Sequence, residues 1–200
     1  MRDGQPRAVR EPLIAIGTEI ESPQTGERLI FRSTKDSSNG ELFQAELISQ
    51  PVGYTVREHI HPNQEEQFEV LEGRFGIKIG DDEVRVAQVG ERLVCPVGVP
   101  HSQWNAGDGQ MRMLYEHRPA LESAEVFFET YFGLSRDGKL QKNGDVNPLQ
   151  ASVFLPEIGD FLRPTFPPLW MHGVFFGALA PIARRRGYRA RYPEYALPSS

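Results

Sequence analysis

The stretch EHIHPNQEEQFEVLEG, Glu58 to Gly73, sets two imidazoles at i and i+2 and a pair of carboxylates just downstream. Side chains at that spacing share a face only on an extended strand, where successive residues alternate sides. Pro62-Asn63 supplies a turn, and the chain returns with Glu65, Glu66 and Gln67. Neighbouring strands lie about 4.8 Å apart, so a carboxylate on the returning strand reaches the point that both imidazoles address. Such a donor set suits a divalent transition metal.

A second stretch, GERLVCPVGVPHSQWN, reaches His101 after a Pro-Val-Gly turn. The first stretch resembles the first motif of the cupin superfamily, through Gly53, His59, His61, Glu66 and Gly73. The second resembles that family's second motif, through Gly90, Pro96, Gly98, His101 and Asn105. The resemblance implies an all-β jelly-roll barrel holding one divalent transition ion on His59, His61, Glu66 and His101. Glu66 is preferred over Glu65 because it stands at the family's distance from Gly73 and shares parity with the apolar Phe68 and Val70. Three neutral imidazoles and one carboxylate leave a 2+ ion with positions open for water, substrate or dioxygen. Family usage favours Fe or Mn, while Ni, Zn, Co and Cu accept the same donors.

The expected function is therefore a metal-dependent oxygenase of dioxygenase type acting on a small organic molecule. The alternatives are a non-redox isomerase, cyclase or decarboxylase, or a cupin that binds a small molecule without turnover. Parity on the TVREHIH strand points Thr55 and Arg57 inward with His59. Arg57 is then a candidate to hold an anionic substrate, or lies near the barrel mouth against a surface carboxylate. Gln103 shares a face with His101 and is a candidate to hydrogen-bond bound water or substrate. Parity leaves Gln44 and Glu46 undecided between cavity and solvent. Tyr115 and His117 turn inward or outward together on the last run, so His117 is either a further polar residue of the cavity or, in preference, a surface histidine near a helix start; Cys95 reads as a small buried hydrophobe, and Trp104 and His172 as packing residues.

These donors must be held by strands. Short apolar or alternating runs (RLIFRS, ELFQAELIS, YTVREHIH, EQFEVLEG, FGIKIG, DEVRVA, ERLVCP, QMRMLYEH) are separated by Gly, Pro, Asn and Asp breakers, the pattern of a sandwich or barrel. We read a flexible arm over residues 1–11, the barrel over 12–118 and a helical C-terminal extension over 119–200. In the extension, Ala124, Phe127, Phe128, Tyr131 and Phe132 recur at helical spacing, with a stop expected near Gly133. NPLQASVFLPEIGDFL reads as a helix interrupted by Pro156. Another begins after Pro167-Pro168, with Pro181 kinking or restarting it.

The 200 residues are 39% apolar and 24% charged with net charge −5, which gives no overall positive field for nucleic acid. The exception is local: an apolar, aromatic segment runs into ARRRGYRAR. That segment reads as a helix packed on the barrel or on the partner of a homodimer, in preference to one lying on an anionic membrane surface. A single cysteine permits no intrachain disulfide, the N-terminus carries no secretory apolar core, and no apolar run reaches the roughly 20 residues of a membrane span. A cytoplasmic protein is expected.

Overall fold

A computed structural model of the chain describes residues 14–82 and 84–198; the arm expected over 1–11 lies outside the described residues. Ten strands run from β1 to β10 through the first part of the chain. They are β1 Glu19–Ser22, β2 Glu27–Ser33, β3 Phe43–Ser49, β4 Thr55–Ile60, β5 Glu65–Glu72, β6 Phe75–Ile79, β7 Arg85–Ala87, β8 Arg92–Cys95, β9 His101–Asn105 and β10 Met111–Arg118. An eleventh, β11, is the pair Arg163–Pro164. They form two antiparallel sheets, a six-stranded one in the order β1-β2-β3-β10-β5-β8 and a five-stranded one in the order β11-β4-β9-β6-β7. This is the expected jelly roll.

Alternation decides which side of each strand is dry. On β10, Met111, Met113, Tyr115 and His117 are buried while Arg112, Leu114 and Glu116 between them are only partly covered. The inward residues of both sheets meet in one apolar cluster that includes Phe31, Phe43, Phe68, Phe75 and Tyr115. Burial of this aromatic area is the main force closing the sandwich.

Three helices follow: α1 Glu122–Arg136, α2 Pro148–Phe154 and α3 His172–Arg185. The aromatic stripe of α1 joins the same core, with the Phe128 ring stacked on Phe43 at 5.4 Å and standing 6.2 Å from Phe161. α1 does not stop at Gly133. It passes through to Arg136, because Gly133 is where the Tyr195 ring rests on the helix and any Cβ would collide with that ring. Asn147 caps α2 by accepting the Gln150 N–H at 3.0 Å, and α2 ends just before Pro156. α3 follows a 3-10 turn at Leu169–Met171 and continues through Pro181. It packs on α2 through Phe176, Ala180 and Ala183. The extension is not wholly helical: β11 hydrogen-bonds to β4, setting Pro164 opposite His59 and Arg163 opposite Ile60.

Candidate metal centre

Both sheets contribute to the polar centre of the sandwich. From the five-stranded sheet come His59 on β4, His61 just beyond it, and His101 at the start of β9, with His59 paired directly opposite His101. From the six-stranded sheet comes Glu66 on β5, paired with Cys95 on β8 and with His117 on β10. His59, His61, Glu66 and His101 are all buried, and one donor atom of each lies within 4.8 Å of all the others. Glu66 is 0% exposed. Glu65 lies on the opposite, exposed side, as the alternation of β5 requires.

The outer nitrogen of each imidazole fixes its tautomer. A carbonyl oxygen can only accept, so each ring nitrogen facing one carries hydrogen. His59 Nδ1 donates to the Arg57 carbonyl at 2.7 Å, His61 Nδ1 to Phe161 at 2.6 Å, and His101 Nδ1 to Val99 at 3.0 Å. The inward nitrogen of each ring is therefore Nε2, which offers its lone pair to a cation whenever it carries no proton. Outer hydrogen bonds of this kind orient the imidazoles of metal sites. Cys95, buried as expected, adds its sulfur 3.0 Å from His101 Nδ1.

Inside the ring of donors the polar atoms have no hydrogen-bond partner among the described residues: His61 Nε2, His101 Nε2 and both Glu66 oxygens. His101 Nε2 stands 2.6 Å from Glu66 Oε2, an ion pair whenever that ring is protonated. Buried polar atoms left so cost several kcal/mol in total, by the scale of about 1–3 kcal/mol each. A shared divalent cation removes that cost, and the residues present fit one.

The electrostatics follow from burial and neighbours. Burial, helped by the charges of His101 and His61, holds the His59 imidazole down to about 3. Burial also opposes the charge on Glu66, but the His61 and His101 imidazoles overcome it and keep the carboxyl well below its usual range. Burial likewise works against the charge on His101, yet the Glu66 carboxylate and the Cys95 sulfur lift that imidazole to about 10. The centre thus selects one negative carboxylate and a compensating positive charge, the balance a cation supplies.

One further histidine belongs to this centre, against the preferred reading of the sequence. His117 is no surface histidine: it is 0% exposed, neither ring nitrogen has a hydrogen-bond partner among the described residues, and Nε2 lies 3.8 Å from Glu66 Oε1. Burial, then the neighbouring His61, holds it well below the ordinary histidine range, so it is neutral. The alternation of Tyr115 and His117 with Arg112, Glu116 and Arg118 carried the signal. Phe161, whose ring centre lies 4.8 Å from His61 and 5.0 Å from His117, had none.

The inward, substrate-holding reading of Arg57 requires a correction, whereas its alternative, pairing with a surface carboxylate, is what the structure shows. Between Val56 and His59 the pairing of β4 with β9 slips, so Val56 faces Gln103 and His59 faces His101 with one extra residue on β4. This bulge reverses the parity, and Thr55 and Arg57 turn outward. Arg57 Nε meets Asp145 Oδ1 at 2.9 Å on the exposed surface. Gln103 does share the buried face with His101, and its Oε1 has no hydrogen-bond partner. Gln44 and Glu46 face away from the core on β3: Glu46 is gripped by Arg32 and Arg112, and Gln44 donates to Glu116. Trp104 packs flat over Gly76, where a Cβ would fall inside its ring. His172 donates to the Pro167 carbonyl, away from the donor set.

Residues 46–115 match the family model described as the cupin domain. Among curated proteins, the chain is 27% identical over 151 residues to the "Probable oxidoreductase yanE" of Aspergillus niger, a match covering 68% of this chain and 57% of that protein. The chain thus spans less than two thirds of that relative's length. Among solved structures, KdgF from Halomonas sp. superposes with TM-score 0.46 at 15% identity, over 52% of this chain and 89% of that one. A predicted oxalate decarboxylase from Thermotoga maritima gives 0.43 at 18% identity, over 46% and 80%. The DMSP lyase DddQ from Ruegeria pomeroyi gives 0.37 at 25% identity, over 42% and 41%. The family match contains all four donors and ends before His117 and Phe161.

Proposed function

Since the chain belongs to the cupin superfamily, we propose that it is a metal-dependent oxidoreductase of dioxygenase type acting on a small organic molecule. Its ion is held by His59, His61, Glu66 and His101. The observation that carries this reading is the donor ring itself: three imidazoles with Nε2 turned inward by three backbone carbonyls, beside the buried carboxylate of Glu66. The oxidoreductase name of the Aspergillus niger relative supports the redox side of the proposal.

When bound, an Fe or Mn ion in this set carries net charge near +1, supplies Lewis-acid polarisation and keeps positions for exchangeable ligands. The chain's own residues do the rest. The carbonyls of Arg57, Phe161 and Val99 hold the imidazoles in register. Neutral His117 stands beyond Glu66, with Nε2 3.8 Å from Oε1, and closes that side of the centre with a buried imidazole. Gln103, buried with its Oε1 unpartnered, orients a water or a polar group of the substrate. Phe161 and Phe68, both fully buried, exclude water.

The test is elemental analysis of protein purified without chelators, followed by oxygen-electrode assays of the Fe(II)-loaded protein against a panel of small organic acids, ketones and phenols. We expect close to one transition ion per chain, lost in His59→Ala and His101→Ala, and oxygen uptake dependent on one class in the panel. A wild-type protein that carries no ion and refuses added Fe, Mn, Ni and Zn ends the metal reading. A loaded protein that converts a substrate without oxygen ends the dioxygenase reading.

A further inference from the structure

Segment 161–193 holds six of the chain's 22 basic residues and none of its 27 acidic ones. The remainder is accordingly acidic. The same segment carries the most exposed aromatic surface among the described residues: Phe166 is 83% exposed and Trp170 81%, and Val174 is 79% exposed beside them. Leu169, Phe175 and Ile182 add to this apolar surface. Isolated exposed apolar residues need no explanation, but a contiguous set along one helix and its leading turn does.

The helix geometry places apolar groups and charge together. At about 100° per residue, Val174, Ala178, Ile182 and Arg185 fall within about 80° of arc on α3. Phe176, Ala180 and Ala183, which seat the helix on α2, lie on the opposite side. Both faces of α3 are therefore apolar, and only one is covered by the protein. Arg184, Arg185 and Arg186 are exposed at its C-terminal end, with no carboxylate at ion-pair distance among the described residues. At 14 residues, α3 is about 21 Å long, too short to cross a hydrocarbon core of about 30 Å.

We propose that Phe166, Trp170 and Val174, with Arg184–Arg186, form a docking face for an anionic lipid surface, on which α3 lies parallel to the membrane plane. The charge decides between occupants. A second copy docking by this same face meets an excess of positive charge, because segment 161–193 carries six basic residues and the carboxylates held against it are Glu58, by Thr165, and Glu122 and Glu157, by Arg191. Lipid phosphates and carboxylates answer that charge, while the acyl boundary accepts the aromatic and aliphatic side chains. Nucleic acid answers the arginines but not the exposed Val174 and Leu169. The homodimer partner expected from sequence is the competing occupant of this face.

The test is co-sedimentation of the full 200-residue chain with vesicles of phosphatidylcholine alone and of an equimolar mixture with phosphatidylserine. Trp170→Ser/Val174→Ser and Arg184→Ala/Arg185→Ala/Arg186→Ala variants run in parallel. All five positions are exposed, so both variants should keep the wild-type melting temperature. We expect at least about tenfold stronger binding to the anionic vesicles, weakened by salt. The arginine variant should lose on the order of a hundredfold in partitioning, at the usual scale for three basic residues near a charged leaflet. The apolar variant should lose about tenfold, together with the blue shift of Trp170 emission. Absence of binding to anionic vesicles overturns the proposal, as does binding that neither variant weakens. A lipid-free dimer in sedimentation velocity that dissociates in Trp170→Ser/Val174→Ser also overturns it, by assigning the face to a second copy.

Discussion

Replacing Glu66 by Gln should abolish stabilisation of the fold by metal, while the same change at the adjacent Glu65 should leave it intact. The two carboxylates are one residue apart, yet Glu66 is wholly buried among three imidazoles and Glu65 is exposed. An ion that binds only the folded chain stabilises it by RT ln(1 + [L]/Kd), about 2.7 kcal/mol when the free ion is at 100 times Kd. For a chain of this size, about 2–4 °C of melting temperature per kcal/mol gives a rise of about 5–11 °C. Glu66→Gln keeps the volume of the side chain but removes the charge, so the rise should shrink to within about 2 °C. The apoprotein itself should lose stability, because removing one partner of a buried pair leaves His101 without its counter-charge, so the rise is read against each variant's own apo form. The assay is thermal unfolding of chelator-stripped wild type, Glu66→Gln and Glu65→Gln, each with and without Mn(II) or Fe(II) under anaerobic conditions. If Glu66→Gln retains the full rise, or Glu65→Gln loses it, the donor assignment is wrong. If no ion raises wild-type stability, the unpartnered atoms of the centre have another explanation.

Further expectations follow from other parts of the structure. Phe161→Ala empties a fully buried site beside His61 and His117 and should cost about 3–5 kcal/mol of stability, read by denaturant unfolding. Arg57→Ala should change stability by less than about 1 kcal/mol, since its ion pair with Asp145 is exposed, and should leave the metal-induced melting shift unchanged. Gln103→Leu should spare ion content but lower turnover at least about tenfold, which separates a substrate-orienting role from a packing one. Burial raises the Glu125 carboxyl to about 7, although Oε1 accepts the Lys35 N–H at 2.7 Å. The folded chain thus holds this proton more tightly than the unfolded chain, whose carboxyl titrates near the ordinary 4.5. Its contribution to stability is present below about 4.5 and is lost as pH rises to about 7. Glu125→Gln, which keeps the acceptor without the charge, should melt about 2–4 °C above wild type at pH 8 and level with it at pH 4.

Much of the centre is local, and so the sequence by itself determined it. Period-two alternation set His59 with His61 and put Glu66, not Glu65, on the dry side of β5, because a strand in a two-sheet sandwich has one wet and one dry face. The same alternation held along β10, where Tyr115 and His117 turn inward together and His117 becomes the fourth histidine of the centre. Pairing across strands broke the rule where local reasoning had no purchase. A single extra residue between Val56 and His59 turned Arg57 out to Asp145, and nothing in TVREHIH announces a bulge whose register is set by β9. Gly133 reads as a helix stop in sequence, and only the Tyr195 ring, 62 positions away, shows it to be a point of close approach. The tertiary structure alone decided that the extension returns as β11 on β4 and lends the Phe161 carbonyl to His61 across 100 positions. Contacts so distant in sequence leave no periodicity behind, since each is fixed by the shape of the whole sandwich and by no spacing along the chain.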